Sequence, residues 1–541
     1  MLRDLKKKLS EVDRMPDKTL EKNMLQGTII LTLTSFVVKL LSAVYRVPYQ
    51  NLVGDEGFYV YQQIYPIYGI GMTLALTGLP VYLSKILASS PNEEEKKWRL
   101  DAFFTIVSLL SCFAFVVLLV LAGPIAGLMG DSELTPVIRL VSFFFLLVPF
   151  LSTYRGYYQG NLNMKPTAIS QLIEQGSRVL VILGAGYLYT IFDWSVYRVG
   201  GVAMSGALVG GVCGLIILWY YQKTQPIKWS FQGKKLKELS HFAKRLIIEG
   251  GTLCLFSAYL IVFQLIDAFF VKQFLGYGGM SDLTAKMTKG AYDRGQPLVQ
   301  LGLVVAVSMT AAFLPPLTKH YMNRQQKEYE AMVSSYIKVA QVMGAAAAVG
   351  LALVLPYINV TLFGDNQEGV SLSLFVLAIY FVSMIQTYQT IYQSQNIMRY
   401  QLFGAVAGLF TKLILTPLLT YYFNTVGASI STILGLIVYL GVLKWYLNQS
   451  MPSYKPVKDY HLKLVINLGM MLIVLVFYRL ILETLNWHSL NRGGTFILTM
   501  IGVIIGASTY LYSVIKSQMF TNEEWEMLPF GNKIVKRIKK D

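Results

Sequence analysis

Three cations stand where lipid-embedded chains rarely place them. Lys39 and Arg46 lie near the first apolar stretch, and Arg294 opens another far along the chain, after Asp293 and before Gly295, Gln296 and Pro297. A cation at the centre of a membrane helix costs about 2.5–3.5 kcal/mol on insertion scales. Repeated outlays of this kind point to a polar cavity that receives an anion. Lys39 and Arg46 are seven residues apart, about 340° of helical rotation, so they share one helix face roughly 10 Å apart. Arg46 has a second reading, in which it snorkels to the interface beside Tyr45 and Tyr49.

Several other residues invite a chemical role. Asp267 fits a counter-ion, a carboxylate that couples a cation, or a paired structural acid. Asp293–Arg294, interrupted by Gly295 and Pro297, fits a broken helix that exposes backbone for binding, or an interfacial loop holding a local ion pair. Glu174 and Arg178, spaced i,i+4, predict a structural ion pair. Gly78-Leu79-Pro80 and Pro315-Pro316 predict kinks that could act as gating joints. The three cysteines, Cys112, Cys213 and Cys254, fall inside apolar stretches, and no metal-ligand spacing accompanies them. The four histidines lie in loops or at span ends, a poor basis for acid–base catalysis.

The elements that must position these groups follow from composition. Of 541 residues, 54% are hydrophobic and 14% charged, and mean hydropathy is +0.49. Stretches of roughly 20 apolar residues recur from 24 to 515, each able to cross a core of about 30 Å. The predicted fold is an all-α polytopic membrane protein with about 14 transmembrane helices. Residues 1–23 form an N-terminal tail with no apolar run, so insertion is expected to begin with the first span. Six spans over 24–221 make one lobe, 222–245 an inter-lobe loop, and six spans over 246–447 a second lobe. Two further spans occupy 448–516, and a basic tail covers 517–541, where Trp525 to Lys540 fits an interfacial amphipathic anchor or a solvated tail.

Net charge is +17, but its distribution argues for topology rather than nucleic acid. Of 47 Lys and Arg residues, about 33 fall on one side of the predicted spans and about 5 on the other, so the positive-inside rule places both termini in the cytoplasm. The segment holding Lys272, Lys286 and Lys289 is the exception. An internal repeat supports the two lobes. Thr153-Tyr154-Arg155-Gly156-Tyr157-Tyr158-Gln159 aligns at an offset of 234 with Thr387-Tyr388-Gln389-Thr390-Ile391-Tyr392-Gln393, and Lys165/Arg399 and Arg178/Lys412 keep their charge. Six spans is an even number, so the repeat is parallel, the arrangement expected of rocking-bundle alternating access.

Several strings resemble the polysaccharide-exporter branch of the multidrug/oligosaccharidyl-lipid/polysaccharide transporter superfamily, and within it the MurJ-type lipid II flippases of Gram-positive bacteria. They are Tyr45-Arg46-Val47-Pro48 with Gly54-Asp55-Glu56-Gly57, Gly78-Leu79-Pro80 through Ser84-Lys85, Tyr154 to Gly160 with Lys165-Pro166-Thr167-Ala168 and Glu174-Gln175…Arg178-Val179, and Leu528-Pro529-Phe530-Gly531. The resemblance covers essentially the whole chain. It implies a central cationic cavity for the pyrophosphate of an undecaprenyl-linked disaccharide-pentapeptide, with Lys39, Arg46 and Arg294 as binding residues and the last two spans as a groove for the lipid tail. One departure is the arginine that the enterobacterial branch carries in span 2, which has no counterpart near Gly71-Met72-Thr73.

The expected protein is a non-enzymatic flippase of the bacterial plasma membrane, monomeric, without cofactor, driven by membrane potential, with Asp267 and Asp293 as candidates for coupling Na+ or H+ or for a counter-ion role. Its partners would be the lipid-linked oligosaccharide, membrane lipids and proteins of cell-wall synthesis, with no role for nucleic acid. The rivals are an exporter of another lipid-linked polysaccharide precursor, a cation-coupled drug antiporter whose cavity should favour acids and aromatics, and a membrane glycosyl transferase, which needs grouped carboxylates or histidines.

Overall fold

The structure is a computed structural model that describes residues 31, 34, 36–38, 40–224, 226–227, 236–450, 460–487, 490–521 and 524–525. Lys39, the 1–23 tail, most of the inter-lobe loop, the Leu528-Pro529-Phe530-Gly531 string and nearly all of the basic tail lie outside them. Among the described residues every regular element is helical. In chain order these are α1 (Arg46–Thr73), α2 (Leu79–Ala88), α3 (Glu93–Val120), α4 (Ala122–Leu128), α5 (Thr135–Ser142), α6 (Val148–Gly160), α7 (Lys165–Ile191), α8 (Val196–Thr224), α9 (Leu236–Arg245) and α10 (Gly251–Tyr277). There follow α11 (Asp282–Asp293), α12 (Gly295–Gly302), α13 (Val304–Met322), α14 (Gln326–Phe363), α15 (Gly369–Phe375), α16 (Ala378–Ser394), α17 (Arg399–Ser450), α18 (Tyr460–Thr484) and α19 (Arg492–Lys516).

Local sequence accounts for many helix ends. Asn92 accepts from the Glu95 amide ahead of three glutamates in the first turn of α3, so cap and helix dipole agree. Asn491 caps α19 in the same way through the Gly494 amide. Pro80, which has no N–H to donate, sits at the start of α2 just beyond a π-helical turn over Leu74–Gly78. Pro297 likewise occupies the first turn of α12, where no donor is required.

Among the described residues, eleven segments are long and apolar enough to cross a membrane, which makes this a multi-pass membrane protein. Two of them, Phe36–Ala88 and Arg399–Gln449, run to 53 and 51 residues, well beyond the roughly 20 that one crossing needs. Each doubles back. In a straight helix Tyr45 and Tyr61 would be about 24 Å apart, yet their hydroxyls are 2.7 Å apart. The turn is at Gly54, whose φ of 69° and ψ of −177° belong to glycine alone. The second reversal is at Asn424, φ 51°, and it brings Lys412 Nζ to 2.5 Å from Thr432 Oγ1. Helix α7 is absent from the eleven because Gln171, Glu174, Gln175 and Arg178 lower its apolar content. All four are buried against protein rather than lipid. Length and hydropathy alone therefore do not fix the number of crossings, put at about 14 from sequence.

Two hydrophobic cores organise the bundle. One gathers residues from Tyr45 to Ala268, the other from Tyr259 to Trp525, and they overlap in sequence only within α10. The last two helices pack on α14, where Tyr510 donates to the Val342 carbonyl and Tyr357 meets Trp487 edge-on at 4.6 Å. Faces such as Phe113, Val120, Ile473 and Ile504 turn outward, as lipid-facing residues do.

The expected Glu174–Arg178 pair does not form. Glu174 accepts instead from Arg155 on α6 at 2.6 Å, and Arg155 also donates to Ser170 Oγ and the Ala75 carbonyl. Spacing within α7 permitted the local pair, but packing of α6 on α7 offers Glu174 a guanidinium already oriented by two other acceptors. Both side chains are essentially unexposed, so removing one strands a buried charge at a cost of about 3–5 kcal/mol. Glu174→Ala should lower thermal stability in detergent accordingly. Arg155→Met combined with Glu174→Leu should recover most of the loss, read as a melting shift.

Candidate functional site

Two groups of buried charges lie where the cores meet. The first lies around Arg46 at the start of α1. Its guanidinium stacks on the Tyr65 ring at 4.3 Å, with Tyr45 and Tyr61 alongside. It is fully buried, and its Nε, Nη1 and Nη2 reach no hydrogen-bond acceptor with proper geometry among the described residues. It does not snorkel. From the other core, Asp293 lies close enough to feel Arg46 and Asp267 electrostatically. Asp293 is held by Lys289 one turn earlier, at 2.5 and 2.6 Å. Asp267 is held by Lys412 at 2.8 and 2.9 Å, and Lys412 also donates to Thr432. With all five ionised, three cations face two carboxylates and one positive charge is left over.

One sequence expectation changes here. The ion partner of Asp293 is Lys289 rather than Arg294, because residues 289 and 293 share a helix face while adjacent residues point apart. Lys272, Lys286 and Lys289, assigned to an outside segment, lie within helices. Lys289 is buried, and Lys272 and Lys286 pair with Asp282 at 2.5 and 2.7 Å. Lys286 also lies 3.6 Å from Asp131, so each of the three stands beside a carboxylate.

Arg294 forms the second centre, and it shares no partner with Arg46. Its guanidinium bridges Asp55, directly after the Gly54 turn, at 2.6–3.0 Å and Asp365, between α14 and α15, at 2.6 Å, while resting over Phe363. Gln50 steadies Asp55 from the same turn. Nearby, Asn51 donates to the Leu362 carbonyl at 2.8 Å and accepts from Arg492 at the start of α19 at 2.7 Å. A Cβ on Gly290 would lie 2.1 Å from the Asp55 carbonyl oxygen, so only glycine allows α11 this close. This end of the bundle is latched shut across both cores. At the opposite end, Lys85 donates to Asn396 across the two cores at 3.2 Å through exposed side chains.

Asp365, Asn51 and most of the tyrosine wall were not singled out from sequence, while Asp55 appeared only within a family string, Lys289 only as a charge exception and Lys412 only as a repeat position. The Gly54-Asp55-Glu56-Gly57 string marked the turn but not the arginine that finds it. Nothing local connects Asp365 to position 294.

Fold and site together define a polytopic helical membrane protein of two packed bundles with ionic groups buried between them, the architecture of alternating-access carriers. A family model for polysaccharide biosynthesis proteins matches residues 24–321. The uncharacterized membrane protein YabM of Bacillus subtilis (strain 168) is 33% identical over 518 residues, 95% of this chain and 96% of that protein. The chain therefore belongs to the polysaccharide biosynthesis protein family. It is also similar to the lipid II flippase MurJ of the same organism, 24% identical over 451 residues, covering 78% of this chain and 82% of the other. Among solved structures, the inward closed conformation of lipid II flippase MurJ aligns with a TM-score of 0.68 at 16% identity, covering 91% of this chain and 99% of that one. An inward-facing multidrug resistance MATE family transporter aligns at 0.63 and 13%, covering 78% and 96%. These likenesses carry the fold.

The latch has a pH signature. Burial acts to raise the Asp365 carboxyl, but the Arg294 guanidinium and the Gln367 amide outweigh it and hold the pKa below the ordinary value. A depressed pKa means the contribution is complete above the unfolded value of about 3.9 and is lost as pH falls through the folded value beneath it. Spin labels at Glu56 and Asn366 should therefore keep one separation from about pH 8 to 5 and spread only below about pH 4. Asp365→Asn should lengthen the mean distance already at neutral pH.

Proposed function

We propose that this protein moves an undecaprenyl-diphosphate-linked peptidoglycan precursor, lipid II, from the inner to the outer leaflet of the bacterial plasma membrane by alternating access, without making or breaking a covalent bond. The observation that carries the reading is Arg46: a guanidinium buried between two bundles against tyrosines, with no carboxylate in contact among the described residues. A diphosphate supplies acceptors, and charge-assisted bonds to it are strong where water is sparse. Lys39 and Arg46 are proposed as headgroup ligands. Arg294 is proposed to engage the headgroup once its two carboxylates part, and to serve as the outer latch before then.

Family membership supports a role in export of polysaccharide precursors, and similarity to a lipid II flippase favours that cargo over related ones. Both termini are proposed to be cytoplasmic, which puts the Gly54 turn and the Arg294 latch outside. The outer end then carries two carboxylates on one arginine plus the Asn51 bridge, against the Lys85–Asn396 bond inside, so the inner end opens more readily. Outward movement of a lipid anion across an inside-negative membrane gains about 2.3 kcal/mol per charge per 100 mV. Asp267 and Asp293 each already hold a lysine, which favours membrane potential over Na+ or H+ as the driving force. Surplus positive charge between the bundles also argues against a cationic drug as cargo, despite the fold shared with multidrug transporters.

Depletion of the protein should cause lipid II to accumulate on the inner leaflet, and Arg46→Ala and Lys39→Ala should fail to restore export. Accumulation of a different lipid-linked precursor would reassign the cargo. In proteoliposomes, collapsing the potential should slow translocation by at least tenfold, since about 1.4 kcal/mol corresponds to that factor. An unchanged rate would remove the potential from the scheme.

A further inference from the structure

We propose that Arg178 is a second anion-binding residue, acting with Arg46 to make a paired-guanidinium site selective for a diphosphate over a monophosphate; the inference rests on the lipid-diphosphate reading above. Of the seven lysines and arginines buried in the described structure, five touch a carboxylate. Among the described residues, Arg46 and Arg178 do not. Within the described structure every other buried cation is paired with a carboxylate and these two are not, and both meet the same wall of tyrosines.

Arg178 projects from α7 between the first hairpin's two arms. It donates to Tyr68 Oη at 2.6 Å and Ser42 Oγ at 3.3 Å, and lies over the Tyr68 and Tyr45 rings at 5.1 and 5.5 Å. Its Nη1 is also 3.5 Å from the sulfur of Met72, which is half-buried. Arg178 Nε finds no acceptor, like the three nitrogens of Arg46. Four buried donors thus surround a stretch of α1 that otherwise offers rings, hydroxyls and a thioether, none of which neutralises charge. A burial cost of this size is sustained when an anion completes the site. Two planar forks suit two phosphoryl groups, whereas one fork already satisfies a single phosphate. The equivalent residue of the repeat, Lys412, has its charge cancelled by Asp267, so the site belongs to the first bundle alone.

The test is binding to full-length protein in nanodiscs, with farnesyl diphosphate and farnesyl monophosphate as probes. Wild type should prefer the diphosphate by about tenfold, the worth of one charge-assisted hydrogen bond. Arg178→Gln should abolish the preference while leaving monophosphate affinity nearly unchanged, and Arg46→Gln should weaken both. Arg178→Lys, which keeps charge and volume, guards against misfolding and should restore only part of the preference. If Arg178→Gln and Arg178→Lys keep the wild-type ratio, Arg178 is a packing residue and the inference falls while the flippase reading stands. If wild type binds neither probe, the lipid-diphosphate reading fails and takes the inference with it.

Discussion

An ionised side chain in a low-dielectric interior must find a counter-charge or a dense set of dipoles, and the arrangement between the two bundles follows from how each cation meets that demand. Arg155, Lys289, Lys412 and Arg294 meet it with carboxylates. Among the described residues, Arg46 and Arg178 meet it chiefly with tyrosine rings and hydroxyls and touch no carboxylate. Cation–π contacts are worth about 0.5–2 kcal/mol each, less than the several kcal/mol that desolvating a charge costs. The balance is supplied by the rest of the fold, which is the usual relation between a strained site and its scaffold.

The paired cations divide into two kinds. Arg155–Glu174 and Lys412–Asp267 tie helices within one bundle and are rigid by geometry. Arg294 joins the bundles, because Asp55 belongs to the first and Asp365 to the second. Of these ties, that one breaks if the bundles rock, and breaking it frees a guanidinium in the space a headgroup would cross. In the function proposed above, closure and binding would compete for the same donor, a simple way to couple cargo to movement.

Membrane class and helical content were legible from hydropathy, since bilayer thickness dictates span length. Cations near residues 39, 46 and 294 were legible as anomalies against that background. What local reasoning missed was partner choice. Glu174 had a suitable arginine four residues away and took one nineteen residues away. Asp293 had Arg294 beside it and took Lys289. Asp55 and Arg294 are separated by 239 positions, and only the hairpin at Gly54 brings them together. The α7 helix shows the same limit from another side: its polar face lowers hydropathy because it is spent on interior contacts, which no window average can reveal.

The two positions related by the 234-residue offset, Arg178 and Lys412, have come to different electrical ends. One retains its field and the other is silenced by Asp267. Two halves alike at these positions would carry like fields. As it stands, the field is lopsided, so in the proposed function a charged headgroup would settle against the first half. The bulkier uncharged portion of its cargo would then lie toward the second half, whose interior can vary in shape without disturbing the grip.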